Sequence, residues 1–377
     1  MLPVPYDMTR GRYIFETARS LSQLADVRVF FMQQRYPHLP GVVPRSALYG
    51  LVGSDYRLDG LDMDVFSYSA IPVVTRRFNG LLGARALKPR VQRFNPDLVL
   101  AYWVYPDGYA ALRAARAIGV PCAVGALGSD IHVRSGHNAV MTRRTIAGVD
   151  ALITVSENMR QAAITEYGAV PGKVHTVVNG YNTQVFRIQS RDEARASLGI
   201  PPDARVVIYV GRFVEAKGMR ELLGAFQKLS SDDPKLRLAL VGDGVMRDEL
   251  VGMVRAANLG DRVLLPGGLP PESVAQWIAA SNVLTLPSWS EGYPNVVVEA
   301  IACGCPVVAT DVGGTREIVN SVNGILIPPK DERVLAEALL GALNRPWDKD
   351  SIASTIRRTW DDVAADTLAI CQGLCRR

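Results

Sequence analysis

Short apolar runs alternating with stretches of helical periodicity fill most of this sequence, and they restrict it to a parallel α/β architecture. A parallel strand cannot be reached through a tight turn, so each needs a crossover, usually a helix. The first series reads helix 12–24, strand 27–31, helix 75–94, strand 98–102, helix 109–118, strand 122–126, helix 139–146, strand 151–155, helix 157–167 and strand 174–178. The second reads strand 206–210, helix 219–229, strand 237–241, helix 246–257, strand 263–265, helix 271–280, strand 283–286, helix 295–302, strands 307–309 and 325–327, and helix 332–343. Residues 37–69 are weakly patterned and receive no assignment. A last helix falls near 360–374.

At 377 residues the chain is too long for one compact core, so two α/β domains in tandem are expected. The polar stretch 179–202, with Gly180-Tyr181-Asn182, Asp192-Glu193 and Pro201-Pro202, reads as the linker. The expected divisions are 1–187, 188–355 and a terminal helix in 356–377. The first series opens on a helix where such a domain normally opens on a strand. That first strand is central in a doubly wound sheet, and its omission would leave backbone groups of both neighbours unpaired. The expectation is a natural chain that begins upstream of Met1, which an intact-mass measurement tests.

No apolar run approaches the roughly 18 residues of a membrane span, and the N-terminus lacks the layout of a signal peptide, so a cytoplasmic protein is expected. Five scattered cysteines suit a reducing compartment; Cys303-Gly304-Cys305 has no second Cys or His cluster and reads as core, not zinc. Charge is uneven: 21 basic against 13 acidic residues in 1–187, and 21 against 24 in 188–377. No helix-turn-helix, zinc finger or aromatic RNA-binding signature accompanies it, so nucleic acid is not an expected partner. A phosphate-bearing substrate or an anionic membrane surface fits the basic half.

Candidate chemistry gathers in the second series. In Ser290-Glu291-Gly292-Tyr293-Pro294-Asn295 through Glu299-Ala300, two carboxylates stand eight residues apart across a loop that opens an apolar helix. Gly292 permits positive φ, and Pro294 suits a first helical turn. The helix is otherwise core, so Glu299 needs a partner there. A buried salt bridge and a ligand-binding pair of acids are both open readings. Strand 206–210 ends in Gly211-Arg212, with Lys217-Gly218 just before the next helix. Loops at the carboxyl ends of strands form the ligand crevice of such sheets, and two cations beside a helix N-terminus make an anion site. The turn Val241-Gly242-Asp243-Gly244 lets a ligand approach the backbone. Cations for phosphates, and acceptor-only carboxylates for vicinal hydroxyls, describe a sugar nucleotide.

The runs Gly211-Arg212-Phe213-Val214-Glu215-Ala216-Lys217-Gly218, Val241-Gly242-Asp243-Gly244, Glu291 through Ala300, and Cys303 through Thr310 with Gly313-Gly314 resemble, in order and spacing, those of retaining glycosyltransferases of family 4. The resemblance covers most of the chain. It implies the GT-B fold: two Rossmann-like domains facing across a cleft, with the helix at Trp360-Asp361-Asp362-Val363 crossing back to the first. It also implies a cofactor-free, metal-independent transfer from a nucleotide sugar. Arg212 and Lys217 would clasp the donor diphosphate, Glu299 the ribose hydroxyls and Glu291 the donor sugar, with Gly211, Gly242 and the backbone of Gly292, Tyr293, Pro294 and Asn295 around it. The leaving diphosphate would help deprotonate the acceptor, a saccharide or polyprenyl-linked hydroxyl, so no protein nucleophile is needed.

In the first half, Leu127-Gly128-Ser129-Asp130 resembles an acceptor-side segment in which many members carry a His where Leu127 stands. Asp130 and His132 are therefore acceptor-side candidates, as are Gly11 and Arg12 in Arg10-Gly11-Arg12-Tyr13, which resembles the loop after the missing strand. Ser156 reads as a helix N-cap. Asp62-Met63-Asp64 and Asp348-Lys349-Asp350 read as solvated loop acids, not metal sites. Helix 75–94, with Arg76, Arg77, Arg85, Lys88, Arg90 and Arg93 among Phe78, Leu81, Leu82 and Leu87, is the candidate for anionic lipid. A sugar-nucleotide epimerase of the same fold and a non-catalytic two-lobed sugar-binding protein are the rival readings; the first lacks an acid/base pair for proton abstraction, the second a signal peptide.

Overall fold

The computed structural model describes residues 2–5, 7, 11–36, 51–71, 75, 78–132 and 136–376, without the side chains of Ser129 and His132. The chain forms two compact units, Met1–Asn179 with Trp360–Arg377, and Gly180–Thr359.

In the first unit, α1 (Arg12–Leu21) buries Ile14, Ala18 and Leu21, the spacing of one helical face. β1 (Arg28–Arg35) and β2 (Asp62–Ser69) pair in parallel, with Phe31 opposite Val65. Then come α2 (Asn79–Phe94), β3 (Val99–Tyr102), α3 (Tyr109–Ile118), β4 (Cys122–Ala126), α4 (Gly136–Gly148), β5 (Ala151–Thr154), α5 (Glu157–Tyr167) and β6 (Val174–Thr176). β3 to β6 form a second parallel sheet in sequential order. Among the described residues no strand joins β1 to β3. Leu2 and Val4 are buried in one cluster with Ile14, Phe31 and Val65, against which Tyr102 packs. Asp62 and Asp64, expected in a loop, lie on β2.

The second unit contains α6 (Arg191–Leu198), β7 (Arg205–Val210), α7 (Met219–Asp232), β8 (Leu236–Val241), α8 (Arg247–Ala256), β9 (Val263–Gly267), α9 (Pro271–Ala280), β10 (Val283–Leu286), α10 (Asn295–Ala302), β11 (Val307–Thr310), β12 (Gly324–Ile327), α11 (Glu332–Asn344) and α12 (Lys349–Ser354). Its six strands are parallel in the order β12-β11-β10-β7-β8-β9. Val206, Val207, Ile208 and Tyr209 are fully buried, as a central strand covered on both faces requires. Each such aliphatic side chain contributes roughly 1.5–3 kcal/mol by leaving water. The order reverses between β7 and β10, and that switch point fixes where loops diverge and a crevice opens.

The divisions differ from those expected. Residues 180–202 are part of the second unit: Phe186 lies in its core, and Ser190 caps α6 by accepting from the Glu193 N–H at 3.3 Å. The polarity that suggested a linker includes Arg195, a buried guanidinium that donates to the Ala280 carbonyl (2.9 Å), the Pro202 carbonyl and Asn282 Oδ1 (2.9 Å). The second crossing falls at 359/360, after α12, whose Ile352 is buried and whose N-cap is Asp348. α13 (Trp360–Cys375) then packs Trp360 and Val363 on Ile153 and Val177 of the first unit.

Candidate functional site

Strands β7 and β10 carry the chemistry at their carboxyl ends. After β7, the Gly211 N–H donates to the Val241 carbonyl (3.0 Å) and the Phe213 N–H to the Asp243 carbonyl (2.8 Å), so the loops after β7 and β8 are bonded together. Phe213 is fully buried and anchors them. Gly242, at φ 139°, has no room for a Cβ because the Gly211 carbonyl occupies that space. A backbone-to-backbone contact thus requires glycine there.

Arg212 is exposed, and among the described residues its guanidinium forms no ion pair. Its carbonyl accepts from the Tyr209 hydroxyl at 2.9 Å. Burial pushes that hydroxyl's pKa up, the Glu291 carboxylate adds to the rise and Arg212 offsets part of it, so Tyr209 stays a donor. Lys217 ends a single 3₁₀ turn, Glu215–Lys217, followed by Gly218 at φ 69° as the N-cap of α7. Its Nζ lies 2.5 Å from Glu291 Oε1, with the side chains only 20% and 10% exposed.

Glu291 stands on the loop between β10 and α10. Two local expectations change there. Gly292 does not take positive φ; Gly313 does, at 54°, where a Cβ would collide with the Glu291 carbonyl. The Gly314 N–H donates to the Gly292 carbonyl at 3.0 Å, so the loop after β11 supports the Glu291 loop from behind. Pro294 is the N-cap of α10, not its first residue. Glu299 is half-buried, while Val297, Val298, Ala300 and Ile301 beside it are buried. Asn295 and Tyr293 are half-buried; burial and Glu317 push the Tyr293 hydroxyl up to about 12, against a lowering by Arg358.

The acceptor-side candidates lie in the other unit. Asp130 is fully buried: Oδ1 accepts from the Leu127 and Gly128 N–H groups (2.9 and 2.8 Å) and Oδ2 from the Val104 N–H (3.2 Å). It fastens the loops after β3 and β4. Gly11 is the N-cap of α1 at φ 60°, and Arg12 reaches Glu16 at 3.6 Å, a buried carboxylate that also holds Arg19 at 2.9 Å. The side chain of His132 and residues Arg10, Arg76 and Arg77 lie outside the described set. An open groove of about 470 Å³ between α5, β6 and α13 contains none of the site residues. Among the described residues no group of three or more His, Cys, Asp or Glu is disposed to hold a metal ion.

Sequence reading missed Trp289. Its backbone N–H donates to the Ala216 carbonyl (2.8 Å), its indole N–H to Glu221 Oε1 (2.9 Å), and Lys330 Nζ lies 4.2 Å from its ring. An aromatic residue two positions before Glu291, in a loop at the switch point, was the available signal.

The family model described as Glycosyl transferases group 1 matches residues 190–359, and that described as Glycosyltransferase Family 4 matches residues 11–185. The chain is 30% identical over 292 residues, 74% of its length and 71% of the relative's, to TuaC of Bacillus subtilis (strain 168), a protein named as a teichuronic acid biosynthesis glycosyltransferase. In structure it resembles sucrose-phosphate synthase from Thermosynechococcus elongatus, with TM-score 0.78, 22% identity, and 96% and 92% of the two chains covered. It also resembles Anabaena HepE solved with UDP-glucose, with TM-score 0.66, 22% identity, and 84% and 85% covered. These match the GT-B fold expected from the motifs. With two Rossmann-like units, both family models in sequence and a relative matched across most of its length, the chain belongs to the group 1, family 4 glycosyltransferases and is a transferase of the GT-B type.

Proposed function

We propose that this enzyme moves a sugar from a nucleoside diphosphate sugar to a hydroxyl of a saccharide or lipid-linked acceptor, with retention at the anomeric carbon, in the assembly of an envelope polysaccharide. The observation that carries the reading is the meeting of Lys217 and Glu291 at the β7/β10 switch point, beside an Arg212 guanidinium with no ion pair among the described residues. A cation held there by a carboxylate is placed to exchange that carboxylate for a diphosphate. HepE binds UDP-glucose, and TuaC is named for teichuronic acid, so a UDP-sugar is the first donor to try.

In this reading Arg212 and Lys217 take the diphosphate, Glu299 accepts from the ribose hydroxyls, and Glu291 sits by the donor sugar with the backbone of Gly292 to Asn295. The bond between the anomeric carbon and the diphosphate oxygen breaks, the acceptor oxygen bonds to that carbon on the same face, and the acceptor proton passes to the leaving diphosphate. Negative charge grows on the diphosphate as it departs, so fixed cations stabilise the transition state more than the ground state. No protein nucleophile, metal or cofactor takes part.

The basic helix α2 supplies the second element, docking on an anionic membrane surface beside a lipid-linked acceptor. Arg85, Lys88 and Arg93 are exposed on it.

Thermal-shift and calorimetric screening against UDP, ADP, GDP and dTDP, and then their sugars, tests the donor assignment; no binding by any of them refutes it. With the donor found, Lys217→Ala and Glu291→Ala are expected to lower transfer by about 10²-fold or more with the fold intact. Full turnover in either variant removes that residue from the mechanism. The anomeric configuration of the product, read by NMR, decides retention.

A further inference from the structure

We propose that Trp289 is a positioning residue that sets where Lys217 stands relative to Glu291, an inference that rests on the reading of Lys217 as a diphosphate ligand. The loop after β10 and the turn after β7 run past each other in opposite directions, touching at successive points. Gly218 has no room for a Cβ because the Pro287 carbonyl fills that space. Two residues further along one segment and two back along the other, the Trp289 N–H donates to the Ala216 carbonyl at 2.8 Å. From between these two points the Lys217 side chain reaches Glu291, its Nζ 2.5 Å from Oε1. Trp289 thus bonds to the residue immediately before Lys217 and lies two residues before Glu291.

Its side chain adds a third fixing point. The indole N–H donates at 2.9 Å to Glu221 Oε1, in the first turn of α7, the helix that Gly218 caps. On the ring, Lys330 Nζ sits 4.2 Å from the centroid, within cation–π range. The ring is therefore held by its edge and its face together. A lysine side chain has four rotatable bonds, so the reach of its Nζ is set by where its backbone is held. The Trp289 N–H ties down the backbone at Ala216, and the indole bond to Glu221 with the ring contact to Lys330 holds that N–H in place. An active-site cation displaced by about an ångström loses much of its effect. That is the defect expected when the indole bond is removed.

The test uses the full-length protein, with UDP as the first probe and then whichever of ADP, GDP or dTDP binds tightest. Trp289→Phe keeps a ring under Lys330 and removes the indole N–H. It is expected to weaken nucleoside diphosphate binding about tenfold while the melting temperature of the unliganded protein stays close to wild type. Glu221→Gln retains an acceptor and should bind as wild type, whereas Glu221→Leu should reproduce Trp289→Phe. The decisive measurement is the cycle with Lys217. If Trp289 acts by placing that ammonium, Trp289→Phe costs no further affinity in a Lys217→Ala background. If the tryptophan is only structural, the two losses add, and the proposal fails. Wild-type affinity in Trp289→Phe alongside weakened binding in Lys217→Ala overturns this inference alone. Full binding in Lys217→Ala overturns the functional reading and the inference together.

Discussion

Lys217 and Glu291, 74 positions apart in sequence, meet at 2.5 Å across the point where the strand order of the second unit reverses. Neither side chain is well exposed, so the pair is held in a medium where charge interactions are stronger than in bulk water. Within the pair each charge satisfies the other. On the proposed function, a diphosphate entering beside Arg212 must draw Lys217 from Glu291 and sit near a carboxylate that repels it.

Glu291→Gln separates these effects. The neutral amide keeps the shape of the side chain, frees the ammonium and removes the repulsion. Free nucleoside diphosphate is expected to bind several-fold tighter to this variant, while transfer falls sharply because the donor sugar loses its carboxylate. Calorimetry for the Kd and a radiolabelled transfer assay for kcat check the two halves. Unchanged or weaker diphosphate binding would show that Glu291 does not restrain Lys217.

Much of this arrangement was legible in the sequence. Gly211-Arg212, Lys217-Gly218 and Glu291 each follow an apolar run read as a strand, and strand-end placement alone brings them to one edge of a sheet. The ion pair was left open because strand order, which decides that β7 and β10 are neighbours, is a property of packing and not of any local pattern. The surroundings of Asp130 were hidden for a related reason. The sequence offers Asp130 as an acceptor-side candidate, and only the tertiary fold shows that three N–H groups converge on it. Arg195 shows the converse: a charged residue in a polar stretch is a buried clamp on Ala280 and Asn282, and the domain boundary moves with it.

The three N–H groups on Asp130 make a stability prediction. Asp130→Ala leaves the N–H groups of Val104, Leu127 and Gly128 without this carboxylate, and each buried donor so deprived costs roughly 1–3 kcal/mol. Asp130→Asn retains the acceptor for Leu127 and Gly128 but turns an NH₂ group toward the Val104 N–H, and an intermediate loss is expected. Urea unfolding of the two variants ranks them. Asp130→Ala with wild-type stability and a selective acceptor defect would restore the original assignment.

The cysteines report on burial and on alkaline stability together. Cys122, Cys303 and Cys305 are buried, and burial pushes their thiols above the ordinary value of 9.0, Cys122 and Cys305 to about 12. A raised pKa means the folded state holds the proton more tightly than the unfolded state. The associated stability is complete below pH 9 and is lost as pH rises toward 12. Melting temperature should accordingly decline above pH 9, and Cys122→Ala or Cys305→Ala should flatten that decline. With Ellman's reagent the exposed Cys375 reacts first, the half-buried Cys371 more slowly, and the other three only on unfolding. Rapid reaction of all five would contradict the burial of the core thiols.

Helix α2 carries the final prediction. Phe78 and Leu81 are 54% and 40% exposed, and Arg85 and Lys88 follow at spacings of four and three, so the four share one face. Arg90 is committed elsewhere: its guanidinium meets Asp64 at 3.2 Å and lies 4.0 Å over the Phe66 ring, within its own unit. If α2 docks on lipid as proposed, Arg85 and Lys88 supply the charge on this face, with the two apolar side chains beside them at the headgroup boundary. Each basic residue near an anionic surface contributes about 1 kcal/mol, so Arg85→Glu with Lys88→Glu should weaken vesicle binding by roughly 30-fold or more. Phe78→Ser should weaken it without changing its salt dependence, because it removes apolar burial and no charge. Flotation with phosphatidylcholine vesicles, with and without phosphatidylglycerol, measures both. Equal, weak flotation of the wild-type protein on the two kinds of vesicle would exclude α2 as a membrane-docking face.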